Sequence, residues 1–178
     1  QENTTYTTYN PTAIATIQEW RRNNVNILIA RMYDTIQVIN QENNSNILFG
    51  VSPFGIWKSG VPAGITGQSS FNDLYCDPIA WMQAGKVDYL APQLYWKISG
   101  QQDYNSLSKW WNDQAAVYDR PVYMGIGLHK LSPASSWPVS EITNQLNINR
   151  NQAHTQVKGQ IFYSSKYLVG DTAGVKTA

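Results

Sequence analysis

Val87-Asp88-Tyr89-Leu90-Ala91-Pro92-Gln93-Leu94-Tyr95-Trp96 is the stretch that decides the fold. Just upstream, Asp77-Pro78 reads as a helix start, a capping carboxylate followed by proline at the first helical position. Gly85 supplies a left-handed stop for the short helix through Trp81 and Met82. Val87 to Tyr95 is then a strand. Downstream, Leu107, Trp110, Trp111, Ala115 and Tyr118 fall at helical spacing within Ser106 to Tyr118, and Arg120-Pro121 turns the chain into a further strand, Val122 to Leu128. Strands alternating with helices predict a parallel sheet with helices outside.

The same alternation extends in both directions. Asn10-Pro11 has the form of a helix start, and Ile14, Ile17, Val25, Leu28, Met32, Ile36 and Ile39 make one apolar helical stripe, with an interruption expected near Asn23-Asn24. Asn43-Asn44-Ser45 ends it, and Ile47 to Val51 is the apolar run of a strand buried on both faces. Trp57 to Cys76 reads as a long loop without periodicity. Leu131 to Pro138 is a Ser/Pro-rich loop, Val139 to Ala153 a helix carrying Ile142 and Leu146, and Gly159 to Tyr163 the last strand, after which no further helix is expected. The fold class is therefore α/β, with parallel (βα) units of a TIM-type barrel. Four strands are half of the eight in a closed barrel, which usually takes roughly 250 residues, against 178 in this chain. Residues 1–178 read as a single partial (β/α) barrel domain, truncated at both ends relative to a full barrel.

Composition narrows the function. The chain is 42% hydrophobic and only 14% charged, with 7 Trp and 11 Tyr, which marks a folded protein with aromatics to spare for core or for sugar-stacking faces. A net charge of +1, with no basic run longer than Arg21-Arg22, excludes the electrostatic footprint of a nucleic-acid binder. No apolar stretch approaches the roughly 20 residues of a membrane span. Cys76 has no second cysteine to pair with and no motif of a nucleophile around it. The missing initiator Met suggests a processed or excised chain, and no signal peptide is visible before Gln1.

Active sites of such barrels lie where the strands end. The tips Ser52-Pro53-Phe54-Gly55-Ile56-Trp57 and Ala91-Pro92-Gln93-Leu94-Tyr95-Trp96 thus form one wall of a cleft. Gln93 can donate and accept hydrogen bonds, Tyr95 adds a hydroxyl, and Trp57 and Trp96 offer flat faces suited to sugar rings. His129 ends the third strand on the same side. Glycoside hydrolysis needs two facing carboxyl groups, and none can be paired here: Asp88 sits at the strand start as a stability residue, Asp77 is a helix cap, and Asp73 and Asp103 stand alone in loops. His129 and His154 are too far apart for a short metal motif, no cofactor loop is present, and Ser52, Ser164 and Ser165 lack a nucleophile elbow.

Trp20 to Asn26, Phe49 to Lys58, Asp77-Pro78 through Gly85, and Val87 to Trp96 together resemble the glycosyl-hydrolase-like 10 family, in order from about Trp20 to Lys166. The resemblance implies the fifth to eighth strands of that family's barrel. It also implies cleft-side positions for Ser52, Phe54, Trp57, Gln93, Tyr95, Trp96, His129, Ser164 and Lys166, with no cofactor. The family's acidic motif, at the end of the fourth strand, would lie before Gln1, so no catalytic residue carries over. By the same resemblance the parent is a bacterial glycosidase of the cell envelope or a secreted one. Its substrate would be a polysaccharide such as peptidoglycan glycan, and this chain would supply binding residues. The alternative is a non-catalytic carbohydrate-binding or scaffold half-barrel, completed either by a second copy or by the missing N-terminal half.

Overall fold

Thr16 starts the first long helix. Its hydroxyl accepts from the Glu19 N–H at 3.2 Å, a side-chain N-cap, and donates to the Glu19 carboxylate at 2.9 Å, which holds the cap in place. Helix α2 then runs without a break over Ile17–Asn43, and Asn44 closes it in the left-handed conformation. Asn10-Pro11 therefore does not start this helix, and Asn23-Asn24 does not interrupt it. The Asn10 amide instead brackets Ile14, accepting from its N–H and donating to its carbonyl, in the turn that follows α1, Glu2–Thr8. This computed structural model describes residues 2–135, 137–151 and 153–177. Gln1, the Ser136 part of the expected loop and the Gln152 part of the expected helix lie outside the described residues.

Four strands, β1 Gly50–Val51, β2 Tyr89–Leu90, β3 Val122–Gly127 and β4 Val157–Tyr163, lie in that order in one sheet, every neighbouring pair parallel. Helices α3 Ser70–Asp73 and α4 Pro78–Gln83 cross from β1 to β2. Helix α5, Tyr104–Tyr118, crosses from β2 to β3, and a 3₁₀ turn, Leu128–Leu131, with α6, Val139–Asn149, crosses from β3 to β4. This is half of a TIM-type barrel. The chain does not trail off after β4: α7, Ser165–Val169, and a 3₁₀ turn, Thr172–Gly174, follow it.

Two strands are shorter than their apolar runs, each for a local reason. The Asn40 side chain accepts from the Ile47 N–H and donates to its carbonyl, which takes the start of the first run out of the ladder and fastens it to the end of α2. In the second run, Leu90 and Leu94 donate toward β3, to Pro121 and Gly125. The position between them is Pro92, which has no N–H to give. Toward β1 the ladder continues past the assigned strand, from Asp88, Ala91 and Gln93 to the carbonyls of Phe49, Val51 and Pro53.

The core lies between sheet and helices. Leu90, Val122, Met124, Ile126 and Leu128 meet Tyr104, Leu107, Trp111 and Ala115 of α5, all fully buried. Burial of side chains of this size contributes roughly 1.5–3 kcal/mol each. The Trp111 indole N–H donates to the Gly55 carbonyl at 2.8 Å, so the loop after β1 is pinned to the core. The long segment from Trp57 to Cys76 is ordered around buried Ile65, Ser69 and Ser70. The stripe on α2 is only partly used: Val25 and Ile36 pack against the core, while Leu28, Met32 and Ile39 remain exposed, and the helix's buried residue, Ile29, lies outside the stripe. Asp77 caps α4 with Pro78 in its first turn, and Gly85 has φ +64°, as the sequence predicts.

Candidate functional site

The face of the sheet turned away from the helices carries Tyr89, Gln93 and Tyr95 from the second run, Tyr123, Gly125 and Gly127 from β3, and Gly159, Ile161 and Tyr163 from β4. Strand register fixes this grouping, pairing Gln93 with Gly125, Tyr123 with Gly159 and Gly127 with Tyr163. At the strand starts the face is apolar: Leu48, Tyr89, Tyr123 and Ile161 line a cavity of about 380 Å³. The strand ends carry the polar and aromatic groups.

There Tyr95, His129 and Tyr163 form a closed aromatic cluster. The two phenol rings stack at 5.8 Å with planes 26° apart, and the imidazole stands edge-on to both, 5.2 Å from Tyr95 and 5.5 Å from Tyr163. Gly127 makes room for them, because a Cβ there would lie 2.9 Å from the imidazole and 3.2 Å from the Tyr95 ring. Burial raises the Tyr95 hydroxyl above the ordinary tyrosine value, with the Tyr163 phenol adding to it. Burial likewise holds the His129 imidazole below its ordinary value, Lys130 adds to that, and a hydrogen bond with the Tyr163 backbone opposes it. Both groups are uncharged at neutral pH, and the buried His129 Nδ1 has no hydrogen-bond partner among the described residues.

Gln93 extends this cluster toward β1. Its Nε2 donates to the Ser52 carbonyl at 3.2 Å and to the Ser52 hydroxyl at 3.3 Å, and that hydroxyl donates to the Ala91 carbonyl at 2.7 Å. The Gln93 amide is thereby oriented with its nitrogen committed and its oxygen left as an acceptor. Ser52, Gln93, Tyr95 and His129 thus come together, joined by Tyr163, which sequence reasoning passed over. The signal for Tyr163 was present: it is two residues past Ile161 on the inward face of the last strand.

The other expected residues are placed differently. Trp57 sits with the helices, its indole N–H donating to Asp77 at 3.0 Å and its ring stacked on Trp110 at 5.8 Å and 19°. Phe54 and Trp96 pack on one another edge to face at 5.5 Å, and both lie against the core. Ser164 precedes α7, and the Lys166 ammonium lies 4.9 Å from the Tyr167 ring.

The carboxylates weighed from the sequence serve the backbone. Asp88 accepts from Phe49, Asp73 from Ser69, Asp77 from Ala80, and Asp103 from Ser99 and Ser106. Glu141, not weighed from the sequence, accepts from the Ile98 N–H and from Gln145. Among the described residues no carboxylate is bonded to Ser52, Gln93, Tyr95, His129 or Tyr163. Burial pushes the Cys76 thiol up, away from thiolate chemistry.

A family model described as glycosyl hydrolase-like 10 matches residues 1–141. Glycosyl hydrolase YngK of Bacillus subtilis (strain 168) is 35% identical over 182 residues, which cover 96% of this chain and 34% of that protein. Glycosyl hydrolase DigH of Escherichia coli (strain K12) is 34% identical over 180 residues, covering 94% of this chain and 39% of that protein. The chain thus spans between about a third and two-fifths of the curated relatives it matches.

Proposed function

The chain belongs to the glycosyl hydrolase-like 10 family, and from that premise we propose that it is the C-terminal half of a glycosidase barrel and supplies the sugar-binding wall of the cleft. The observation that carries this reading is the polar and aromatic cluster of Gln93, Tyr95, His129 and Tyr163 at the strand ends, to which no carboxylate is bonded among the described residues. Aromatic faces beside fixed hydrogen-bonding groups suit a pyranose, whose C–H face is apolar and whose rim is hydroxylated. Gln93 accepts from a sugar hydroxyl or amide through its free oxygen, and Tyr163 and Tyr95 carry the ring. The two carboxyl groups that hydrolysis requires come from the half of the barrel that precedes this one.

The substrate in this reading is a bacterial polysaccharide, with the glycan of peptidoglycan the foremost example, and the parent works outside the cytoplasm, in the envelope or secreted. Ser164 and Lys166 extend the wall beyond β4.

A second reading, a non-catalytic carbohydrate-binding or scaffold half-barrel, is favoured by the engagement of Asp73, Asp77, Asp88 and Asp103 in backbone bonds. In that case a second copy covers the apolar strand-start cavity, and sedimentation equilibrium of the chain gives a dimer. A strictly monomeric folded species removes the dimer.

Calorimetry against soluble glycans, including uncrosslinked peptidoglycan strands, with a parallel reducing-sugar assay, tests both readings. Binding without turnover is the expected result for this chain, and turnover must appear when the preceding half is present. Binding with no turnover in the complete parent supports the scaffold, and an absence of binding in the complete parent overturns both.

A further inference from the structure

Ser52 and Pro53 follow β1 at the strand ends, and together they decide which way the Gln93 side chain faces. The ladder between the first two strands runs on here, with the Ala91 and Gln93 N–H groups donating to the Val51 and Pro53 carbonyls. In a parallel ladder of this register the N–H of residue 53 returns a bond to the Ala91 carbonyl, and proline has none to give. The Ser52 hydroxyl takes its place, donating to the Ala91 carbonyl at 2.7 Å. A hydroxyl has one proton, so what the Ser52 Oγ shows to Gln93 is a lone pair.

The Gln93 amide thus meets two acceptors, the Ser52 carbonyl at 3.2 Å and the Ser52 Oγ at 3.3 Å. Only its nitrogen can face them, because the amide turned over would set its oxygen against both. That oxygen, Oε1, is bonded to none of the described residues. Nor is it among the buried side-chain atoms that lack a partner, which lie on Arg120, His129, Gln145, Asn149 and His154. It therefore meets solvent, on the cleft face beside Tyr95. The backbone beneath it is fixed from both sides, with the Gln93 N–H bonded to the Pro53 carbonyl and the Leu94 N–H to the Gly125 carbonyl, each at 3.0 Å.

An amide oxygen accepts and cannot donate. A sugar lying over it gains a hydrogen bond when it brings an O–H or N–H to that point. An ether or carboxylate oxygen in the same place sets two acceptors against one another out of water, and an unmatched polar group costs more than a formed bond returns. On the reading of these strand ends as a sugar-binding wall, we propose that Ser52 is a positioning residue that acts through Gln93. It makes the cleft selective for sugars that present a hydroxyl or acetamide donor there, over sugars that carry an ether or a carboxylate.

The test is NMR titration of this chain with three probes. Cellotriose brings hydroxyl donors, N-acetylated chitotriose adds amide N–H groups, and the per-O-methyl ether of cellotriose has no donor. The ratio of the affinity for a donor-bearing sugar to that for the ether should fall by roughly tenfold in Gln93→Leu, the value of one hydrogen bond. Methyl bulk is common to all variants, so the change in this ratio reads polarity. Ser52→Ala should lower the ratio less, Ser52→Thr should restore it, and Ser52→Ala should cost nothing further in the Gln93→Leu background. A fall confined to chitotriose identifies the donor as the acetamide, and a fall with both sugars identifies a hydroxyl. Additive losses, or a ratio unmoved by Ser52→Ala and Gln93→Leu, overturn the proposal and leave the sugar-binding wall standing. Failure of every probe to bind this chain or the complete parent overturns that wall and the proposal with it.

Discussion

The ring of Tyr89 occupies the space that a side chain at Gly50 would need. A Cβ at residue 50 would lie 2.1 Å from the Tyr89 Cζ, and the two residues are register partners across β1 and β2. Gly50→Ala must therefore push a ring that already packs edge to face on Tyr123 at 5.3 Å. We expect a loss of about 1–3 kcal/mol, as for overpacking elsewhere, measured by urea unfolding. Gly100→Ala, whose Cβ would meet only the Lys97 carbonyl at 3.6 Å, should be close to neutral.

Tyr163→Ala and Trp57→Ala should fail in different ways. Tyr163 is 56% exposed, so its loss should leave the melting temperature nearly unchanged and weaken glycan binding by roughly tenfold, the value of one stacked ring. Trp57 packs with Trp110, Phe71 and Asp77, so its truncation should cost on the order of 3 kcal/mol of stability. Equal loss of affinity in both variants, with equal stability, would return Trp57 to the sugar-contacting set.

Asp103 caps α5 through bonds to the Ser106 N–H at 2.9 Å and hydroxyl at 2.7 Å, and it also takes the Ser99 N–H at 2.6 Å. Burial raises its carboxyl, but the bonds from Ser106, Ser99 and Asn105 together leave it below the ordinary value. Asp103→Ala should destabilise by about 1–2 kcal/mol and Asp103→Asn by less, since an amide oxygen still caps. Chemical denaturation of both variants measures the difference.

Stability should fall as the solution is acidified, in two windows. His129 and His154 are held below the free value of about 6.5, so the unfolded chain binds their protons first. Their contribution is complete above that value and is lost as pH falls through the folded values. Asp103 behaves alike lower down: its contribution is present above the unfolded value of about 3.9 and disappears below it. Melting temperature measured from pH 8 to pH 3 should decline through the first window, less steeply in His129→Asn.

Much of this architecture was legible because its punctuation is local. Asp77-Pro78 and Gly85 announce α4 without help from the rest of the chain, and the alternation of strands and helices follows from turn chemistry and apolar spacing. The start of α2 was harder, because Asn10-Pro11 and Thr16 with Glu19 both have the form of a cap, and only the Asn10 amide's commitment to Ile14 separates them. The apolar stripe on α2 predicted burial that the structure grants only in part, since periodicity marks an apolar face but not what covers it. Trp57 and Tyr163 show the same limit in the site. Which aromatic faces the cleft depends on register, Gly127 against Tyr163, and on the Asp77 cap that turns the Trp57 indole toward α4.

The strands pair in the order in which they come in the chain, so each ladder joins consecutive strands across one connection and none waits for a distant partner. The entropy of closing such loops rises only slowly with length, and short-range pairing is the topology that folds fastest. A chain leaving the ribosome can therefore add β2 to β1, then β3, then β4, in the order in which they are synthesised. In a ring of eight strands the single pairing that must reach back across the whole barrel is the joint of last to first. All the pairings seen here are free of that delay.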